Sequence, residues 1–137
     1  MIIKALIPLR KKSTRIKNKN TKIINNKPLY KIVLDEAIKC NKITKIFIAT
    51  DNKNIKSYNR KVEIFSRSKK SATDKAQTEI VIKEFLKKNQ CDYLILIQAT
   101  NPFLKKKHLD EAISKILNKK FDTLLSVVNT KFFIWKK

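Results

Sequence analysis

Five short apolar runs punctuate the chain, at residues 2–7 (IIKALI), 45–50 (KIFIAT), 62–65 (VEIF), 92–98 (DYLILIQ) and 123–128 (TLLSVV). Between them lie polar stretches and segments whose apolar residues recur every three or four positions. This alternation limits the fold more than any other property of the chain, because strands separated by helices pair in parallel and carry the helices on the faces of the sheet. Pro28 fits the first turn of a helix, and Leu29, Ile32, Val33, Ala37 and then Cys40 or Ile38 follow at helical spacing. Residues 78–88 carry Ile80, Val81, Phe85 and Leu86 as a stripe, and residues 109–117 carry Leu109, Ala112, Ile113 and Ile116. Residues 54–60 read as a short helix. The unbroken apolar run at 92–98 predicts a central strand covered on both faces. The expected architecture is a three-layer α/β/α domain with a mostly parallel sheet, residues 1–137 forming one unit.

In an open parallel sheet a ligand sits beyond the carboxyl ends of the strands. The polar segments that this order places there are residues 9–20, Asp51, the loop at 67–75 and residues 98–102. Residues 9–20 are basic, aperiodic and longer than most connections. They offer Arg10, Arg15 and Lys19, with hydroxyls and main-chain N–H groups, directly after a buried strand. A triphosphate requires such equipment, since its charge must be neutralised and its oxygens given several donors. Nucleotidyl transfer in turn rests on positioning and on cations that stabilise the transferring phosphorus. A solvated lysine loop is the alternative reading of the same residues. The chain has no Walker pattern and no G-x-G-x-x-G, so neither a P-loop kinase nor a dinucleotide enzyme is supported. Asp51 and Asp74 each read as a site carboxylate or as the cap of a following helix. His108, among lysines near a helix start, reads as a surface residue.

Charge bears on the choice of partner. The chain carries 33 basic against 11 acidic residues, a formal charge of +22, which ordinarily points to nucleic acid or an anionic membrane. Only four of the basic residues are arginines, and the lysines are spread over every segment without interleaved aromatics to stack on bases. Solvated lysine faces, with no specific nucleic-acid partner, are therefore expected. No apolar run approaches the ~20 residues of a membrane span. Cys40 and Cys91 lack C-x-x-C spacing and read as a reduced pair, so a cytoplasmic, membrane-free location is expected.

The ordered motifs carry a resemblance. Ile7-Pro8-Leu9-Arg10, Ser13, Arg15-Ile16 and Lys19-Asn20, followed by Asn26-Lys27-Pro28-Leu29, are similar to the opening of the acylneuraminate cytidylyltransferase (CMP-sialic acid synthetase) family, whose pattern runs I-P-A-R-G-G-S-K-R-I-P-x-K-N and then G-K-P-L. Thr50-Asp51, Arg67, Thr73-Asp74 with Gln77-Thr78, and Gln98-Ala99-Thr100-Asn101-Pro102-Phe103 continue it in order, as do Ser126-Val127-Val128 and Trp135-Lys136. Ser13-Thr14-Arg15 also resembles the related 3-deoxy-manno-octulosonate cytidylyltransferases.

The resemblance implies a Rossmann-like nucleotidyltransferase fold of the nucleotide-diphospho-sugar transferase type. It implies transfer of CMP from CTP to the anomeric hydroxyl of a sialic-type nonulosonic acid, with Mg²⁺ and release of pyrophosphate. Carried over by position, Arg10 and Lys19 hold the triphosphate and act on the α-phosphorus, and Ser13 and Arg15 add phosphate or loop contacts. Asn20 and Arg67 meet the nucleoside, and Gln98 and Thr100 face the sugar. The family's loop glycines are Lys11 and Lys12 here, its lysine is Thr14, and the glycine before Lys27 is Asn26, the best substitute where φ is positive. The family's metal-binding aspartates would lie beyond residue 137, and adjacent Asp110-Glu111 diverge on a helix, so no Mg²⁺ ligand is expected within the chain. The sequence reads as stopping in mid-domain. A non-catalytic remnant that binds nucleotide or a partner subunit is the alternative function, and a homodimer is left open.

Overall fold

The computed structural model describes residues 1–11, 16–73, 76–119 and 121–129. Strand β1 (Ile3–Leu9) is followed by a 3-10 turn (Lys19–Thr21), a two-stranded hairpin of β2 (Ile23–Ile24) and β3 (Lys27–Pro28), and helix α1 (Leu29–Lys39). Then come β4 (Lys45–Thr50), β5 (Val62–Ser66), α2 (Thr78–Leu86), β6 (Tyr93–Leu96) and α3 (Lys106–Lys119). The main sheet has the order β5-β4-β1-β6 and every pair in it is parallel. Helices α1 and α3 cover one face, where Val33, Leu34, Ala37, Leu109 and Ile113 pack on Ile3, Ala5, Ile7, Ile46 and Ile48. Helix α2 covers the other, setting Val81 and Phe85 on Leu6, Phe47 and Ala49. The expected three-layer α/β/α domain with a parallel sheet is what the residues build.

Several boundaries differ from the sequence reading, each for a physical reason. Strand β1 does not stop at Pro8 but runs through it, pairing Pro8 with Ala49. The proline lies beyond the last β6 pair, Leu6 with Leu96. Leu6 O, two residues earlier, accepts the Ile97 N–H, so the N–H that Pro8 lacks would have pointed to the β6 side, past the end of that ladder. Pro28 caps α1 rather than entering its first turn.

Residues 54–60 are not helical. Asn52 Oδ1 accepts the Asn54 N–H, Asn59 Oδ1 accepts the Lys61 N–H, and Ser57 Oγ donates to Val62 O. These side-chain bonds give the backbone an alternative to the helix, and Ile55 is the segment's one buried apolar side chain. The run at 92–98 forms a shorter strand that, among the described residues, lies at the sheet edge and not at its centre, and Leu96 is exposed there. Residues 123–128 form no strand, and Leu125, Val127 and Val128 are exposed. An apolar run reports a capacity for burial, whereas a strand also needs a neighbour to take its hydrogen bonds. In the predicted helical stripes, Leu86 faces solvent and Leu34 takes the inward position that Ile32 was expected to hold.

A chain with no glycine must make its tight turns from other residues. Among the described residues, positive φ falls on Asn18 (54°), Asn25 (48°) and Asn26 (62°). The last two form the turn of the β2–β3 hairpin, where both central residues of a two-residue loop need φ above zero. Asn tolerates this region because its short polar side chain bonds locally. Asn26→Ala is expected to cost roughly 1–2 kcal/mol in urea unfolding, and Asn26→Gly to cost less than Asn26→Ala; equal losses would mean that the turn does not select for backbone conformation.

Candidate functional site

Register sets the site. Leu9 pairs with Thr50, and Thr50 with Ser66, so the carboxyl ends of β1, β4 and β5 are level. The next residue of each strand is Arg10, Asp51 and Arg67. Three adjacent strands thus deliver two guanidiniums and a carboxylate side by side on one rim, where an open parallel sheet binds its ligands.

Backbone and side chain lock them together. The Lys11 N–H donates to Asp51 Oδ1 at 2.7 Å. The Arg67 N–H donates to Thr50 O at 3.2 Å, and Thr50 Oγ1 accepts the Asn52 N–H at 3.0 Å. Arg10 Nη1 donates to Thr73 O at 2.9 Å, so the first loop leans on the loop that follows β5. The Arg67 guanidinium donates through Nη2 to Ser71 O, whereas its Nε is buried with no hydrogen-bond partner among the described residues. Asn20 Nδ2 donates to Arg10 O at 3.4 Å, bracing the end of β1 from the 3-10 turn that also holds Lys19.

Between these segments lies an open cleft of about 440 Å³, lined by Lys11, Asp51, Arg67, Ser68, Lys69, Ala72 and Thr73. Three cations against one carboxylate make it attractive to anions. Burial draws the Arg67 guanidinium down from its ordinary value; Asp51 and Glu84 draw it back up and Arg10 pushes it further down, with a net lowering. Arginine nevertheless stays charged. The result is a fixed positive group with a buried donor, suited to hold a polar or anionic ligand.

The loop carrying Arg67 is fastened from below. Ser71 Oγ donates to Glu84 Oε2 at 2.7 Å, Ser68 Oγ donates to Glu84 Oε1, and the Ser71 N–H donates to Ser68 Oγ at 3.1 Å. Ser71 is fully buried. Burial alone would raise the Glu84 carboxyl; the hydroxyls of Ser68 and Ser71, the Ser68 N–H and the Arg67 charge outweigh it and hold the group below its ordinary value. Glu84 was invisible to sequence reasoning. It sits on helix α2 outside the apolar stripe, and its serine partners lie thirteen and sixteen residues away.

The sequence-derived residues divide accordingly. Arg10, Asn20 and Arg67 lie on or brace the rim, and Lys19 precedes Asn20 in the 3-10 turn. Ser13 and Arg15, with Asp74, fall outside the described residues. Gln98 and Thr100 are exposed in the turn after β6, closed by the Asn101 N–H on Gln98 O. They stand at the opposite end of the rim from Arg67, three strand spacings or roughly 14 Å away. Asp51 caps no helix; its carboxylate caps the main chain of the first loop. His108 is exposed and its Nδ1 accepts the Lys105 N–H at 3.2 Å, a helix-end role consistent with the surface reading.

Among the described residues no group of three or more His, Cys, Asp or Glu side chains gathers as a metal site. At the rim the Asp51 carboxylate is already engaged by Lys11, and Asp110 accepts from Cys40 Sγ and Lys106 Nζ. The described residues do not fit a Mg²⁺ centre. No helix among them is long and apolar enough to cross a membrane.

Known proteins resemble the chain in sequence and in fold. The family model described as cytidylyltransferase matches residues 4–133. The chain is 32% identical to N-acylneuraminate cytidylyltransferase A of Danio rerio over 98% of its own length and 32% of that protein's. It is 28% identical to the 3-deoxy-manno-octulosonate cytidylyltransferase of Geotalea daltonii, over 85% of this chain and 45% of that one. It therefore spans between about a quarter and a half of the length of the curated relatives it matches. Among solved structures, a CMP:2-keto-3-deoxy-manno-octonic acid synthetase complexed with CTP superposes with a TM-score of 0.73 at 18% identity, covering 88% of this chain and 49% of that one. A 4-diphosphocytidyl-2C-methyl-D-erythritol synthase from Anaerococcus prevotii gives 0.64 at 14% identity over 93% and 60%. These neighbours establish the nucleotidyltransferase fold. The chain belongs to the cytidylyltransferase family.

Proposed function

We propose that this member of the cytidylyltransferase family forms the CTP-binding part of an enzyme that transfers CMP to the anomeric hydroxyl of a sialic-type nonulosonic acid. The observation that carries the reading is the row Arg10, Asp51 and Arg67 at the level ends of three parallel strands, opening on a cationic cleft. In the reaction the sugar's anomeric oxygen attacks the α-phosphorus of CTP and its proton passes to solvent or base. The new P–O bond forms as the bond to the β-phosphate's bridging oxygen breaks, and pyrophosphate leaves. Arg10 and Lys19 hold the triphosphate and stabilise negative charge at the α-phosphorus, the kind of preorganised electrostatic support on which such transfers rest. Ser13 and Arg15 add contacts from the same loop. Arg67 and Asn20 serve the nucleoside, Arg67 with a buried donor to offer and Asn20 by fixing the end of β1. Gln98 and Thr100, across the rim, serve the acceptor sugar. Mg²⁺ is expected in the whole reaction, with ligands outside the described residues.

Isothermal titration of the folded chain with CTP, and with UTP and GTP as controls, tests the reading. Saturable heat with CTP in preference to the other nucleotides is the expected result. Absence of heat at millimolar CTP, in a sample whose unfolding is cooperative, overturns it.

A further inference from the structure

The loop of residues 67–73 is the common support of both arginines, since Ser71 O takes Arg67 and Thr73 O takes Arg10. A long guanidinium side chain has many rotamers, and it points one way only if its acceptor is itself fixed. Ser71 is fixed three times. Its hydroxyl donates to Glu84, its N–H donates to Ser68 Oγ, and its carbonyl receives Arg67. Ser68 in turn donates its hydroxyl to the other oxygen of Glu84. One carboxylate on α2 therefore takes the hydroxyls of both serines that shape this turn. Its neighbour Phe85 is fully buried against Phe47 and Phe65, so the anchor is tied to the sheet.

We propose that Glu84 is a positioning residue of the nucleotide site: from α2 it fixes Ser68 and Ser71, and through Ser71 O it sets the direction of the Arg67 guanidinium in the cleft. The proposal rests on the nucleotide reading of that cleft. Glu84 touches no ligand; it acts by keeping Arg67 aimed before CTP arrives, which removes an ordering cost from binding. A carboxylate that merely tied loop to helix would alter stability without altering what Arg67 contributes.

A double-mutant cycle separates these roles. Glu84→Ala is expected to weaken CTP binding by about tenfold, the scale of one charge-assisted hydrogen bond. Glu84→Gln, which keeps an oxygen acceptor of the same shape, falls between it and the parent. In an Arg67→Ala background, Glu84→Ala is expected to cause almost no further loss. Undiminished affinity in Glu84→Ala, or a loss that simply adds to that of Arg67→Ala, overturns the proposal. Amide hydrogen exchange supplies a readout that needs no nucleotide: in Glu84→Ala, Ser68 and Ser71 should exchange faster while Val81 and Phe85 keep their protection. Unchanged exchange at the two serines refutes the proposal even if CTP binds. If the parent chain ignores CTP while the serines do loosen, the nucleotide reading and the positioning of a nucleotide site fall, and Glu84 is a structural tie alone. Ser68→Ala, on the exposed side of the loop, repeats both measurements should Glu84→Ala fail to fold.

Discussion

Phe85→Ala is expected to lower the unfolding free energy by about 3–5 kcal/mol, the usual cost of deleting a fully buried aromatic side chain. Phe85 has no exposed surface, and its ring meets Phe47 edge-on at 4.8 Å and Phe65 at 5.4 Å. It is the largest fully buried side chain in the small cluster beneath α2, so the hole left behind has few neighbours able to close it. Such edge-to-face pairs contribute beyond their buried area. Stability of a domain is on the order of 5–15 kcal/mol, so the variant would retain a fraction of it. Urea unfolding should show a lower midpoint at unchanged slope. Phe85→Leu should lose much less. A loss below about 1 kcal/mol for Phe85→Ala would mean that α2 is not seated on this face.

How much of this was written in the sequence depends on the kind of signal. Burial was legible wherever apolar residues recurred with a period. Val33 and Ala37, Val81 and Phe85, Leu109 and Ile113 all lie inward as their spacing predicts. Pairing was not legible, because a strand's partner is a matter of topology. The run at 92–98 reads as a central strand but is an edge among the described residues, and the run at 123–128 has apolar residues with no ladder. Local hydrogen bonding was also hidden. The Asn and Ser residues between β4 and β5 close turns on themselves, which a count of helix formers across 54–60 does not register.

The site shows the same division. Strand ends followed by polar residues located Arg10, Asp51 and Arg67, and the level register of β1, β4 and β5 brings all three to one rim. The partner of each was not foreseeable. By sequence Asp51 suits a helix cap, yet its carboxylate takes the main chain of Lys11. That contact gives the glycine-free loop a fixed amide at its base. Glu84 escaped notice for the complementary reason: its function comes from a turn thirteen residues away in sequence, and nothing in the helical period marks it.

Arg10→Ala is expected to reduce affinity for CTP by about 10–100-fold while leaving cytidine binding within about threefold of the parent, the range spanned by losing one or two charge-assisted hydrogen bonds. The asymmetry follows from position. Arg10 leaves β1 in the middle of the rim and Arg67 leaves β5 at its edge, so in the proposed pose the first meets phosphates and the second the nucleoside. Arg67→Ala should therefore weaken CTP and cytidine together. Ionic strength provides a second axis, because an arginine that neutralises phosphate makes affinity fall with added salt. The salt dependence of CTP binding should be shallower in Arg10→Ala than in the parent. Arg10→Lys should recover part of the charge effect but not the two-pronged geometry of a guanidinium. The variant also loses the bond to Thr73 O, so its unfolding midpoint must be followed alongside. Equal losses for cytidine and CTP in a well-folded Arg10→Ala protein would remove Arg10 from the triphosphate and leave it as a brace between the two loops.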